Sequence, residues 1–182
     1  GRFDWASVDA LIAGARAHDL KLVLLWFGAW KNSMSTYVPA WVKRDQARFP
    51  RAQLASGQSV EILSAFSEQT RAADARAFAA LMRQIAAVDA KDNTVLMVQV
   101  ENEIGMLPIA REYGAVADRL FGEPVPEPLL RRLTLGRASL EPELRALWEE
   151  FGAKTEGSWQ ALFGEGDAAA ELFMAWHYAR FV

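Results

Sequence analysis

The sequence predicts an α/β protein with a parallel sheet. Three observations carry this reading. Two continuous apolar runs, residues 21–27 and 94–100, have strand length and are rich in β-branched, aliphatic or aromatic residues. A segment with apolar residues at helical spacing precedes each run. Many dozens of residues separate the two runs, which suits the crossover of a parallel pair and not the tight turn of a hairpin.

The elements follow in order. Val8, Leu11, Ile12 and Ala15 recur at helical spacing, and Asp4 or Ser7 can cap the start. Lys21-Leu22-Val23-Leu24-Leu25-Trp26-Phe27 lacks polar alternation, as a strand covered on both faces would. Residues 29–67 show no clear period and carry Pro39, Pro50 and Gly57. A loop of that length is usually functional or contains short helices. Phe78, Leu81, Met82, Ile85 and Val88 make the next helical face, in Ala-rich surroundings. Asp92-Asn93 signals a turn, and Thr94 to Val100 is the second strand.

After Gly105 the character changes. Residues 112–121, 129–135, 143–151, 157–163 and 168–181 read as helices with Gly- or Pro-containing joints. Glu123-Pro124-Val125-Pro126-Glu127-Pro128 reads as a stiff extended connector. Residues 1–105 are thus expected to form the α/β part, and 106–182 a helical insertion or a continuation of the same domain.

Composition removes several function classes. A net charge of −3 provides no basic field for nucleic acid. The absence of cysteine excludes disulfides, thiolate metal sites and cysteine nucleophiles. No apolar run approaches the ~20 residues that a membrane-spanning helix needs. The two histidines, His18 and His177, lie in helical patterns and read as surface or core residues, so no metal is expected. There is no Gly-x-Ser-x-Gly elbow, no Ser–His–Asp set and no phosphate loop. The chain begins at Gly1 and ends on Phe181-Val182 within a helical pattern, so it is expected to be a fragment of a longer protein. The compartment of that parent stays open, with periplasm or secretion ahead of cytoplasm.

Chemistry concentrates at the ends of the two strands. Val98-Gln99-Val100 runs into Glu101-Asn102-Glu103. In parallel α/β sheets ligands bind at the carboxyl ends of strands. These residues are either a strand end reaching water or a site for acid/base chemistry. A glutamate in a partly desolvated pocket has its pKa raised and can donate a proton near neutral pH. The neighbouring carboxamide both donates and accepts hydrogen bonds, which suits a hydroxyl-rich substrate. Past the first strand, Trp26, Phe27, Trp30, Tyr37 and Trp41 interleave with Lys31, Asn32, Ser33 and Ser35. Such a mixture can form a sugar platform, although the rings can equally be core. Packing is the stronger reading for Trp41, and the site is the stronger one for Trp30.

Gln99-Val100-Glu101-Asn102-Glu103-Ile104-Gly105 resembles the acid/base signature of the family 35 glycoside hydrolases, β-galactosidases of the retaining (β/α)8-barrel clan. Tyr37-Val38-Pro39-Ala40-Trp41-Val42 resembles the Leu-Pro-Ala-Trp-Leu segment found after the third barrel strand. Gly1-Arg2-Phe3-Asp4-Trp5 resembles the segment that leads into the second helix. The likeness covers about residues 1–105. The helical tail and residues 26–32 are most similar to a bacterial branch with an additional C-terminal domain.

The resemblance implies a partial (β/α)8 barrel carrying the third and fourth strands, with a large helical insertion after the acid/base strand. It implies hydrolysis of terminal β-galactosides or related sugars without a cofactor. Glu103 would be the general acid/base, and Asn102 would bind the hydroxyl next to the anomeric carbon. Trp26, Trp30 and Asn32 would contact substrate, and Glu101 would support the site. The sequence departs from the family at Ile104, where Tyr is common, and at Ala29, where an acid normally binds galactose; Asn32 would then supply a replacement polar contact. The nucleophile is expected beyond residue 182, which would leave the isolated fragment inactive, with exposed strand edges, and poorly soluble or oligomeric. The alternative is a non-catalytic carbohydrate-binding protein on a decayed barrel. Strict strand alternation sends Asn102 and Glu103 to opposite faces, so a site using both requires a twist or bulge.

Overall fold

The computed structural model describes residues 2–182. Among them the fold is mixed α/β, with eight α-helices, a two-stranded parallel sheet and a short hairpin. The chain divides into two compact units. The first comprises residues up to Arg51, Glu61–Gly105 and Arg180–Val182; the second comprises Ala52–Val60 and Met106–Ala179.

In the first unit, α1 (Ala6–Ala17) opens with the Asp4 carboxylate accepting the Ala6 N–H at 3.0 Å, and turns Ile12 and Ala15 inward. β1 (Leu22–Trp26) then pairs in parallel with β4 (Val95–Val100), with Trp26 opposite Val100. The connection between them includes α3 (Glu68–Asp89). The Ser67 hydroxyl caps that helix by accepting the Thr70 N–H at 3.1 Å, so α3 starts well ahead of the apolar face at Phe78. At the amino ends of the strands, Asp89 fastens three elements. Its carboxylate accepts from Arg16 of α1 at 2.8 Å and from the Val95 N–H of β4 at 2.7 Å.

The structure corrects two expectations and extends a third. The strands are not covered on both faces: Val23, Leu25, Leu96 and Met97 are each more than half exposed. An apolar run shows that a strand can be buried on both sides but not what is there to cover it. The long loop after β1 contains α2 (Ala40–Arg44) and the hairpin of β2 (Arg51–Gln53) and β3 (Ser59–Leu63). The Pro-rich connector becomes helical at Glu127, because Pro128 sits in the first turn, where no N–H partner is needed.

The second unit is helical: α4 (Ala115–Gly122), α5 (Glu127–Leu135), α6 (Pro142–Glu150), α7 (Trp159–Phe163) and α8 (Asp167–Tyr178). Its core holds Leu133, Trp148, Trp159, Leu162, Phe163 and Phe173, all almost fully buried. The Phe173 ring meets Phe121, Trp159 and His177 edge-on. The tip of the hairpin belongs to this unit, where the Tyr113 N–H donates to the Gln53 carbonyl at 2.9 Å. Among the described residues no helix is long and apolar enough to cross a membrane.

Candidate functional site

The parallel register brings the carboxyl ends of β1 and β4 side by side, so residues 27–32 and 101–105 emerge together. Strand geometry ends at Val100. Glu101 and Glu103 adopt left-handed backbone conformations, with φ of 58° and 43°. Non-glycine residues seldom do so, and each such position costs roughly 1 kcal/mol or more unless its surroundings hold it. The two left-handed residues break the strand alternation on either side of Asn102.

Glu101 provides much of that hold. It is 2% exposed, and its two carboxyl oxygens accept the N–H groups of Ala29 (2.8 Å) and Trp30 (2.9 Å). Asp74 on α3 lies beside it, since Asp74 Oδ1 and Glu101 Oε1 both crowd the same point at Gly28. Burial raises the Glu101 pKa to about 9, and the neighbouring Asp74 adds to the rise against the opposing pull of the two backbone N–H groups. The Asp74 Oδ1 accepts from the Trp26 indole N–H at 3.1 Å. Gly28 touches the same cluster. A side chain starting there would lie 2.3 Å from Asp74 Oδ1, 2.4 Å from Trp26 Nε1 and 2.5 Å from Glu101 Oε1.

Asn102 is held on both sides. Its Nδ2 donates to the Lys31 carbonyl at 2.7 Å, and its Oδ1 accepts from Gln99 Nε2 at 2.7 Å. Each amide atom retains one further hydrogen-bonding position. Glu103 follows with an exposed side chain, while its carbonyl accepts from the Ser33 hydroxyl at 3.3 Å. The buried carboxyl with the raised pKa is therefore Glu101, and the proposed proton donor Glu103 stands at the surface.

The other sequence candidates occupy varied settings. Trp30 is fully buried, with its ring edge-on to Phe181, which leaves no open face for a sugar. Asn32 closes its own loop: Oδ1 accepts from the Met34 N–H and the Ser35 hydroxyl, both at 2.9 Å. Trp26 is half-buried against Phe78 and lines a cavity of about 280 Å³. Phe27, Tyr37, Trp41 and Phe49 supply further aromatic walls, and Asp74 the carboxylate. Glu101, Asn102 and Glu103 do not line this cavity, which reaches Asp74 instead.

Sequence reasoning missed Asp74, although a signal existed. Thr70, Asp74, Phe78 and Leu81 fall at helical spacing, and both Thr70 and Leu81 are buried. An acid on that stripe is conspicuous once the helix is known to begin at Glu68. Among known proteins, no family model and no curated sequence matches this chain.

Proposed function

We propose that the chain carries the acid/base half of a retaining glycoside hydrolase acting on terminal β-galactosides or related sugars. The observation that carries this reading is the placement of Gln99-Val100-Glu101-Asn102-Glu103 at the carboxyl end of a parallel strand. There Asn102 is fixed from two sides and Glu103 is open to an incoming substrate. In this reading β1 and β4 are adjacent strands of a (β/α)8 barrel. The exposed apolar residues Val23, Leu25 and Met97, which the register sets on one face, support it, since in a closed barrel that face would be interior.

The chemistry follows from two carboxyl groups. Glu103 gives its proton to the glycosidic oxygen as the bond to the anomeric carbon breaks. A second carboxylate, which the proposal assigns to sequence outside these residues, forms the bond to that carbon. Glu103 then takes a proton from the water that releases the sugar. The free positions on the Asn102 amide would hold the 2-hydroxyl, with hydrogen bonds that tighten toward the transition state. No step requires a cofactor.

In the full-length protein, Glu103→Gln is expected to abolish hydrolysis of lactose-type substrates. Activated aryl glycosides, whose leaving groups need no proton, should lose much less in the first step. Retained wild-type turnover of lactose-type substrates would sink the assignment. The aromatic cavity beside Trp26 favours one second reading, carbohydrate binding without turnover. Galactoside binding by a full-length protein that hydrolyses none of these substrates would select it.

A further inference from the structure

We propose that Glu101 and Asp74 form a carboxyl–carboxylate pair holding one shared proton, and that this pair makes Glu101 a positioning residue for Asn102 and Glu103. The positioning half rests on the function proposed above; the proton-sharing half stands without it.

Geometry carries the pair. Asp74 Oδ1 and Glu101 Oε1 lie 2.3 Å and 2.5 Å from the point that a side chain at Gly28 would occupy, which sets them less than about 5 Å apart, and two carboxyl groups that close, one of them fully buried, do not readily both ionise. Both approach Gly28 so closely that no side chain fits between them. The roles divide by their other partners. Asp74 Oδ1 accepts the Trp26 indole N–H. Glu101 is the more deeply buried of the two, so the neutral form belongs there. A protonated Glu101 donates to Asp74 and still has oxygen lone pairs for the Ala29 and Trp30 N–H groups.

Three elements meet at Glu101. α3 presents the Asp74 carboxyl group. The loop after β1 presents the two backbone N–H groups. β4 presents the neutral amide of Gln99, whose Nε2 donates to the Glu101 carbonyl at 3.2 Å and to Asn102 Oδ1. The same residue that carries the shared proton thus starts the left-handed turn leading to Asn102 and Glu103. Ionising both carboxyls would set two like charges against each other with little water between them and loosen that turn.

The test uses the whole chain with 13C-labelled carboxyl groups, titrated by NMR from about pH 4 to pH 10. One glutamate resonance, absent in Glu101→Gln, should stay protonated through neutral pH. Asp74→Asn should bring its titration down by at least about one unit. Hydrogen exchange at the Ala29 and Trp30 amides should accelerate at least about tenfold in Glu101→Ala, and less in Glu101→Gln, which retains one acceptor oxygen. Should Glu101→Ala fail to fold, Asp74→Asn carries the test. A Glu101 carboxyl already ionised at neutral pH overturns the pair, as does an unshifted titration in Asp74→Asn. In the full-length protein, Glu101→Gln should retain far more kcat than Glu101→Ala at similar KM, and equal kcat in the two variants overturns the positioning role. A shared proton seen by NMR in a protein without glycosidase activity would leave the pair standing and remove the proposed function alone.

Discussion

Gly28→Ala tests the packing of the candidate site most directly. The backbone of Gly28 is not left-handed, so its requirement for glycine is one of space. A methyl group would fall within 2.5 Å of three polar atoms, on Asp74, Trp26 and Glu101, at distances that real Cβ atoms essentially never show. Two effects compete. Replacing glycine by alanine restricts the unfolded chain and favours folding by about 0.4–1 kcal/mol at a compatible site. Against this, overpacking costs about 1–3 kcal/mol. Displacing the Trp26–Asp74 hydrogen bond, or one N–H bond to Glu101, costs roughly 1 kcal/mol for each bond lost. The clash wins, and the net expectation is a destabilisation of about 2–4 kcal/mol. Urea denaturation followed by tryptophan fluorescence measures it. The double variant Gly28→Ala with Asp74→Ala should recover at least about 1 kcal/mol relative to additivity, because it removes one of the clashing groups. A Gly28→Ala protein as stable as wild type, or more stable, would refute this account of the cluster.

Three further outcomes are expected. Between about pH 4.5 and pH 9 the folded state keeps on Glu101 a proton that the unfolded chain has lost, so stability should fall as pH rises across that window, by about 1 kcal/mol per pH unit; Glu101→Gln should flatten this slope in melts run across the range, and an unchanged slope contradicts it. Asp89 behaves in the opposite sense: burial pushes its pKa up, but hydrogen bonds from Val95, Thr94 and Arg16 outweigh that and hold it well below its ordinary 3.8. Its contribution is full above that pH and lost on acidification, so Asp89→Asn should flatten the acid limb of the stability profile. In the helical unit, Phe173→Ala should cost about 3–5 kcal/mol in a denaturation series, since it removes a fully buried ring packed against three others.

The parts of the fold legible in the sequence were those with large apolar side chains in a sustained pattern. β1 and β4, the face of α3 from Phe78 onward and the later helices all have this property. The first turns of α3 do not: Thr70, Ala73 and Ala77 are small and give no period, so the helix start stayed hidden, and Asp74 with it. The hairpin was equally silent, because β2 and β3 are three and five residues long with only Gly57 to mark their turn. At the site, Asn102 and the two glutamates could be named from their position after an apolar run. Their inequality of burial could not, because it depends on which backbone N–H groups the β1 loop brings to Glu101. Trp30 sits among polar neighbours that suggest exposure, yet its packing partner Phe181 comes from the far end of the chain.

The crossover between β1 and β4 bears on how such a site can diverge. Closing a loop costs free energy that grows only with the logarithm of its length, about 0.6 kcal/mol for each doubling. The connection between the paired strands is already long, so inserted residues add little to the cost of pairing. A single methyl group at Gly28, at the start of that connection, is expected to cost several times as much. Natural variants of this region should therefore differ freely in the length of the segment after Asn32, while the residues that meet around Gly28 change rarely or change together.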